Sequence, residues 1–192
     1  MGCLSRNRLR TWASLVVLAV APTACGDSTG PPPVGLIQLL ESLLSAEVGT
    51  TLVFSVRIDD ERGVPIEGLS ITFAPTSGAG SVSPSTLVTG PSGVVNVSWT
   101  LGTVAGTQTV RVTAGLKSIE VVATATPGAP AEIVVSSGDA QSGPVGVALS
   151  AQPSAQVRDQ FSNGVPGITV TFTADAGSVT ATEVVTDAAG RA

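Results

Sequence analysis

A chain of 192 residues has room for one or two domains, and 43% hydrophobic residues against 12% charged ones exclude a solvated disordered polymer. Helix formers such as Lys, Glu, Gln, Met and Arg are rare, which excludes a helical core. The bulk lies in Val, Thr, Ala, Ser and 22 Gly, with only 4 Phe, 2 Trp and no Tyr, so composition predicts an all-β protein of short strands and tight turns.

Residues 1–24 read as a secretory signal peptide. Arg6, Arg8 and Arg10 form a basic start, Ala13 to Ala21 an apolar run too short to cross a bilayer of roughly 30 Å, and Pro22-Thr23-Ala24 a small-residue cleavage site. The cysteine that follows makes this stretch resemble a bacterial lipoprotein processing site, with Pro22 where such sites usually carry Leu. That resemblance implies that Cys25 is lipidated and becomes the new N-terminus. Ordinary cleavage nearby, leaving Cys25 a free thiol, is the alternative. Cys25 is the only cysteine outside the leader and has no disulfide partner, which favours lipidation. Several acyl chains, at about 0.8 kcal/mol per buried methylene, anchor a protein stably where one does not. The expectation is an exported lipoprotein at the cell surface or in the periplasm, with the membrane as partner through its N-terminal lipid anchor.

Removing the leader takes three of the nine basic residues and none of the 14 acidic ones. The dispersed negative charge that remains argues against nucleic acid as a partner. Residues 25–33 follow as a tether, ending in the semi-rigid run Pro31-Pro32-Pro33.

An internal repeat then organises the rest. Glu47-Val48-Gly49 aligns with Pro144-Val145-Gly146 at an offset of 97, and Leu36-Ile37 with Ile133-Val134 at the same offset. Val56-Arg57 aligns with Val157-Arg158, and Asp60 with Asp159. Gly68-Leu69-Ser70-Ile71-Thr72-Phe73 aligns with Gly167-Ile168-Thr169-Val170-Thr171-Phe172, and Gly80-Ser81-Val82 with Gly177-Ser178-Val179. Thr89 and Gly93 align with Thr186 and Gly190. Within the first unit, residues 34–126, the period is two. Leu52, Phe54, Val56 and Ile58 share one strand face, as do Leu69, Ile71 and Phe73. Val95, Val97, Trp99 and Leu101 form a third apolar row, Val110, Val112 and Ala114 a fourth, and Ile119, Val121 and Ala123 a fifth. Serines and threonines between them are expected on the solvent faces. Two such sheets stack to bury both apolar faces, and about seven strands in roughly 90 residues make an immunoglobulin-like β-sandwich. Residues 127–130 read as a stiff linker, and 131–192 as a second, incomplete immunoglobulin-like unit whose last residue corresponds to Val95. The expectation is a fragment or truncated product of a longer tandem array. Strands donated by another chain are the rival explanation.

The repeated pattern is a Val-Arg pair with Asp close behind, then Gly-[Leu/Ile]-x-[Ile/Val]-Thr-Phe, Gly-Ser-Val and Thr-x-x-x-Gly. It resembles the bacterial immunoglobulin-like domains, group 1, of the invasin and intimin adhesins, over nearly everything after the tether. Gly93 to Gly102 with Ala105-Gly106-Thr107 resembles the later half of that domain. The resemblance implies a stalk or spacer. Invasins anchor through a membrane β-barrel, so the lipoprotein-like start is a departure, and nothing here resembles their lectin-like tip.

Candidate chemistry is sparse. With no histidine and one lipidated cysteine, neither a Ser-His-Asp triad nor a Cys-His pair can form, and no zinc cluster or other cofactor site is evident. Asp59, Asp60 and Glu61 form the densest acidic cluster, a candidate for Ca²⁺ or, more simply, a solvated turn after a strand. Phe161, in the turn Asp159 to Gly164, is the one aromatic outside the strands and a candidate contact for a cell-surface glycan or protein. The sequence therefore predicts a non-catalytic, surface-anchored structural or adhesive spacer. The alternatives are a glycan- or protein-binding module, or the accessory domains of an enzyme whose catalytic domain lies beyond residue 192.

Overall fold

A computed structural model describes residues 32–76 and 78–192. Among the described residues every regular element is a strand. The first nine are β1 (Val34–Leu39), β2 (Ser45–Glu47), β3 (Thr51–Asp60), β4 (Ser70–Pro75), β5 (Ser81–Ser83), β6 (Thr86–Val88), β7 (Val94–Thr100), β8 (Gly106–Ala114) and β9 (Lys117–Thr126). They form a sandwich of two sheets, ordered β1-β3-β7-β5 and β2-β9-β8-β4-β6. All ladders are antiparallel except β2–β9, where Ser45, Ala46 and Glu47 run parallel to Thr124, Ala125 and Thr126.

Alternation in the sequence becomes the interior. Phe54, Val56 and Ile58 of β3 face Ile71 and Phe73 of β4 and Val110 and Val112 of β8 across the sandwich, all buried. At the centre, Phe54 meets Phe73 and Trp99 edge-on, with both centroid separations 6.1 Å and interplanar angles of 73° and 76°. Aromatic pairs prefer this arrangement because a positive ring edge meets a negative face. The buried indole N–H of Trp99 donates to the Ala79 carbonyl at 2.6 Å, so the largest core side chain carries no unpaired donor. That contact requires the 78–80 turn to sit tight on the end of β7. A Cβ at Gly80 would lie 2.1 Å from the Thr100 carbonyl oxygen, which no side chain tolerates.

The remaining strands are β10 (Glu132–Ser137), β11 (Ser154–Arg158), β12 (Thr169–Thr171) and β13 (Glu183–Val185), paired β10–β11 and β12–β13. Ala155, Val157, Val165 and Val170 are buried between them, with Ile168, Phe172 and Ala192 packed alongside.

Hydrogen bonds refine the repeat. Ile58 N–H donates to Gly93 and its carbonyl accepts from Ile66, while Val157 N–H donates to Gly190 and its carbonyl accepts from Val165. Val157 thus corresponds to Ile58, not to Val56, and Arg158 to Asp59. One offset of 99 then holds from here through Phe73 and Phe172, with no insertion inside the block. Similarly, β1 pairs Ile37 with Ile58 and β10 pairs Ile133 with Val157, so Ile133 corresponds to Ile37 rather than to Leu36. The slip at Val56 escapes the side-chain pattern because a two-residue shift keeps every strand side chain on its own face.

Two further expectations are corrected. Asp59 and Asp60 do not lie in a solvated turn: they end β3 and are only 7% and 6% exposed. Nor are all threonines on solvent faces. Thr89 and Thr186, just past β6 and β13, turn inward and are buried. Thr89 Oγ1 accepts from Leu69 N–H at 2.9 Å, and Thr186 Oγ1 accepts from Ile168 N–H at 2.9 Å while donating to the Val165 carbonyl. The hydroxyl closes a backbone group that the end of each short strand would leave open.

Candidate functional site

Cys25 lies outside the described residues. Within the acidic cluster at the end of β3, Asp60 is committed to its own turn. Asp60 Oδ1 accepts from the backbone N–H groups of Arg62 (2.8 Å) and Val64 (2.9 Å), and its Oδ2 faces the Arg62 guanidinium at 3.3 Å. Asp59 Oδ1 is 2.9 Å from Arg57 Nε, and Glu61 is exposed. The Val64 N–H is the main influence holding the Asp60 carboxyl below its usual 3.8; desolvation opposes it, and Arg62 adds to it. Among the described residues, no three His, Cys, Asp or Glu side chains gather to hold a metal ion.

Asp159 builds the same turn in the second repeat, and there it does more. Its Oδ1 accepts from Phe161 N–H (2.9 Å) and Asn163 N–H (2.8 Å), as Asp60 does from Arg62 and Val64. Its Oδ2 accepts from the linker N–H of Gly128 and from Asn163 Nδ2, both at 2.9 Å. Burial is the largest single influence on Asp159, which is 1% exposed, and pushes its carboxyl up. The hydrogen bonds from Asn163, Gly128 and Phe161 together outweigh it and hold the group below 3.8. Asp187 makes a third such turn, accepting from Ala189 N–H and Arg191 N–H; the Arg191 bond is the main cause of its lowered carboxyl.

Asn163 carries this turn onto the first sandwich. Its Oδ1 accepts from Ala105 N–H at 2.9 Å and its Nδ2 donates to the Thr103 carbonyl at 2.8 Å. Buried Gln108 shapes the receiving loop: its Oε1 accepts from Gly102 N–H, and its Nε2 donates to the carbonyls of Gly102 and Val104. Phe161 is 38% exposed, and its ring edge lies against Gly49 of the first sandwich, where a Cβ would sit 3.6 Å from both Cε2 and Cζ. The structure thus separates Phe161 from the Asp59–Glu61 cluster and places it at the joint between the repeats.

Residues that the sequence did not single out complete this joint: Asn163, Gly128 and Gln108. The available signal was a mismatch between repeats, since Asn163 falls opposite Val64 at the offset of 99. Chemically the site pairs donors with acceptors across two surfaces. Among the described residues no Ser or Thr hydroxyl is bonded to a carboxylate. A hollow of about 390 Å³ bordered by Ser137, Pro153, Phe172 and Val184 has no ionisable side chain in its lining.

No protein-family model matches the chain, and a search of curated proteins finds no match. Among solved structures, the chain is similar to the D0-D1 domain of intimin, over 83% of this chain and 82% of that one, at 18% identity and a TM-score of 0.40. Domains 5-6 of the S-layer protein SbsC are similar over 84% of this chain and 86% of theirs, at 19% identity and a TM-score of 0.40. FdeC, an Escherichia coli adhesin, is similar over 70% of this chain and 43% of its own, at 19% identity and a TM-score of 0.45. Against SbsC domains 4 and 5 and intimin D00-D0, the match spans about half of the length of those structures, 53% and 46%.

Proposed function

We propose that this protein is a non-catalytic structural or adhesive spacer, built from bacterial immunoglobulin-like repeats of the invasin and intimin kind and carried at a membrane by lipid on Cys25. One observation carries the reading. The buried carboxylates of Asp60 and Asp159 are spent on backbone N–H groups, one of them at the joint between repeats, and neither is free to act as acid or base. A buried acid serving catalysis would instead sit in a cleft with a proton to exchange.

The sequence supports the anchor through the leader ending at Ala24-Cys25 and the proline-rich tether behind it. Cell-surface protein or glycan partners belong to the same proposal, and nucleic acid does not, given the net negative charge. Labelled palmitate with membrane fractionation tests it. The wild-type chain takes up label and sediments with membranes, and Cys25→Ser loses both properties. A wild-type chain that takes up no label and stays in the soluble fraction overturns the anchor.

A further inference from the structure

Two copies of one turn are used differently in this chain. Asp60 and Asp159 each gather two backbone N–H groups on Oδ1 at 2.8 to 2.9 Å, so the turns themselves are equivalent. What differs is the set of residues mounted on them. At the offset of 99, Phe161 replaces Arg62 and Asn163 replaces Val64. Gly128, whose N–H binds Asp159 Oδ2, corresponds to the Pro31-Pro32-Pro33 run, where no backbone N–H exists. Among the positions that differ between the two repeats here, Phe161, Asn163 and Gly128 are the ones that build the joint.

The chemistry of the distinction is specific. A carboxamide presents one acceptor and one donor side by side, matching the Ala105 N–H and Thr103 carbonyl that it meets at 2.9 and 2.8 Å. Valine has neither, and Val64 in the first turn is 54% exposed. Asn163 is itself held from behind, because Asp159 Oδ2 takes one of its two Nδ2 protons. On the receiving side Gln108 fixes the loop, and the Phe161 ring edge lies beside Gly49.

We propose that Asn163 is a latch fixing the orientation of the second repeat on the first. The face made by Gly49, Thr103 and Ala105 is then a docking surface for a following repeat whose turn reads Asp-x-Phe-x-Asn, and the Asp60–Val64 turn is a version that does not dock. The use of such a latch rests on the spacer reading above, since orientation matters only where repeats act as one body.

Backbone ¹⁵N relaxation on the whole chain tests this, comparing the rotational correlation times of residues 34–126 and 131–192. In the wild type the two agree. Asn163→Val installs the first repeat's residue and removes both hydrogen bonds, lowering the ratio of latched to unlatched joint about 30-fold. The two times then separate, while amide shifts around Val165 and Val170 stay in place. Ala105→Pro deletes the donor from the receiving side without touching the second repeat, and has the same effect. If both variants keep a single common time, the latch is wrong and the spacer reading stands. If the wild-type repeats already tumble independently, the stiff spacer fails with it.

Discussion

Phe54 touches both other aromatic rings of the core, so its removal measures how far the first sandwich depends on that cluster. It is fully buried and packs edge-on against Phe73 and Trp99. Phe54→Ala removes a phenyl ring from an interior that cannot collapse around the gap, costing about 3–5 kcal/mol. Phe54→Leu restores most of the volume but loses two edge-to-face pairs, each contributing about 0.5–1.5 kcal/mol beyond area, and so costs about 1–3 kcal/mol. A sandwich of this size has about 5–14 kcal/mol of stability in all, so the alanine variant gives up a third or more of a mid-range value. Urea unfolding of residues 25–192 followed by tryptophan fluorescence reads the effect, since Trp99 is the only tryptophan after Trp12. At a slope of roughly 2 kcal/mol per molar urea, the midpoint falls by about 2 M for alanine and about 1 M for leucine. An alanine variant whose midpoint moves by less than about 0.5 M would refute the placement of Phe54 at the centre of the core.

Thr89→Val keeps the shape of a buried side chain but leaves the Leu69 N–H without its acceptor, and thermal melting is expected to show a loss of about 1–3 kcal/mol. The same change at exposed Thr72 serves as control and stays within about 0.5 kcal/mol. Acid titration addresses Asp60, Asp159 and Asp187, whose folded carboxyls all lie below 3.8. A depressed carboxyl contributes stability that is complete above its unfolded value and disappears as pH falls through the folded one. Stability is therefore expected to hold from neutrality down to about pH 4 and to decline below it. Asp159→Asn turns an amide donor toward the N–H groups of Gly128 and Asn163, and its deficit against wild type should shrink as the pH drops below 3.8. A deficit that stays constant into that range contradicts the assigned bonds.

Strand faces were legible because side-chain parity is a direct record of burial. The row Val95, Val97, Trp99, Leu101 could be read as interior without coordinates, and so could Phe54, Val56 and Ile58. What parity does not encode is register. The true partner of Val157 is two residues from the one that residue matching suggests, and both choices point inward. Strand β2 was equally hidden, since three residues are too few for an alternation to stand out. The roles of Asp60 and Asp159 were obscured for a related reason: an acidic cluster in a sequence suggests a cation, whereas the groups these carboxylates bind are backbone N–H groups. The joint is the extreme case. Asn163 binds main-chain atoms 58 and 60 residues away, and no side-chain complementarity connects it to Thr103 or Ala105 in the sequence.

The ladders of the first sandwich also settle how it carries a pull. Val34 begins β1 beside Asp60, at the end of β3, whereas Thr126 ends β9 beside Glu47, one residue past the Ala125–Gly106 pair, at the opposite pole. Tension entering through the tether and leaving through the linker therefore runs along β1 and β9 rather than across them. Hydrogen bonds perpendicular to a strand are then loaded in shear and share the force, instead of being peeled open one at a time. The parallel β2–β9 pairing places three more residues alongside the exit strand, where the load leaves the domain.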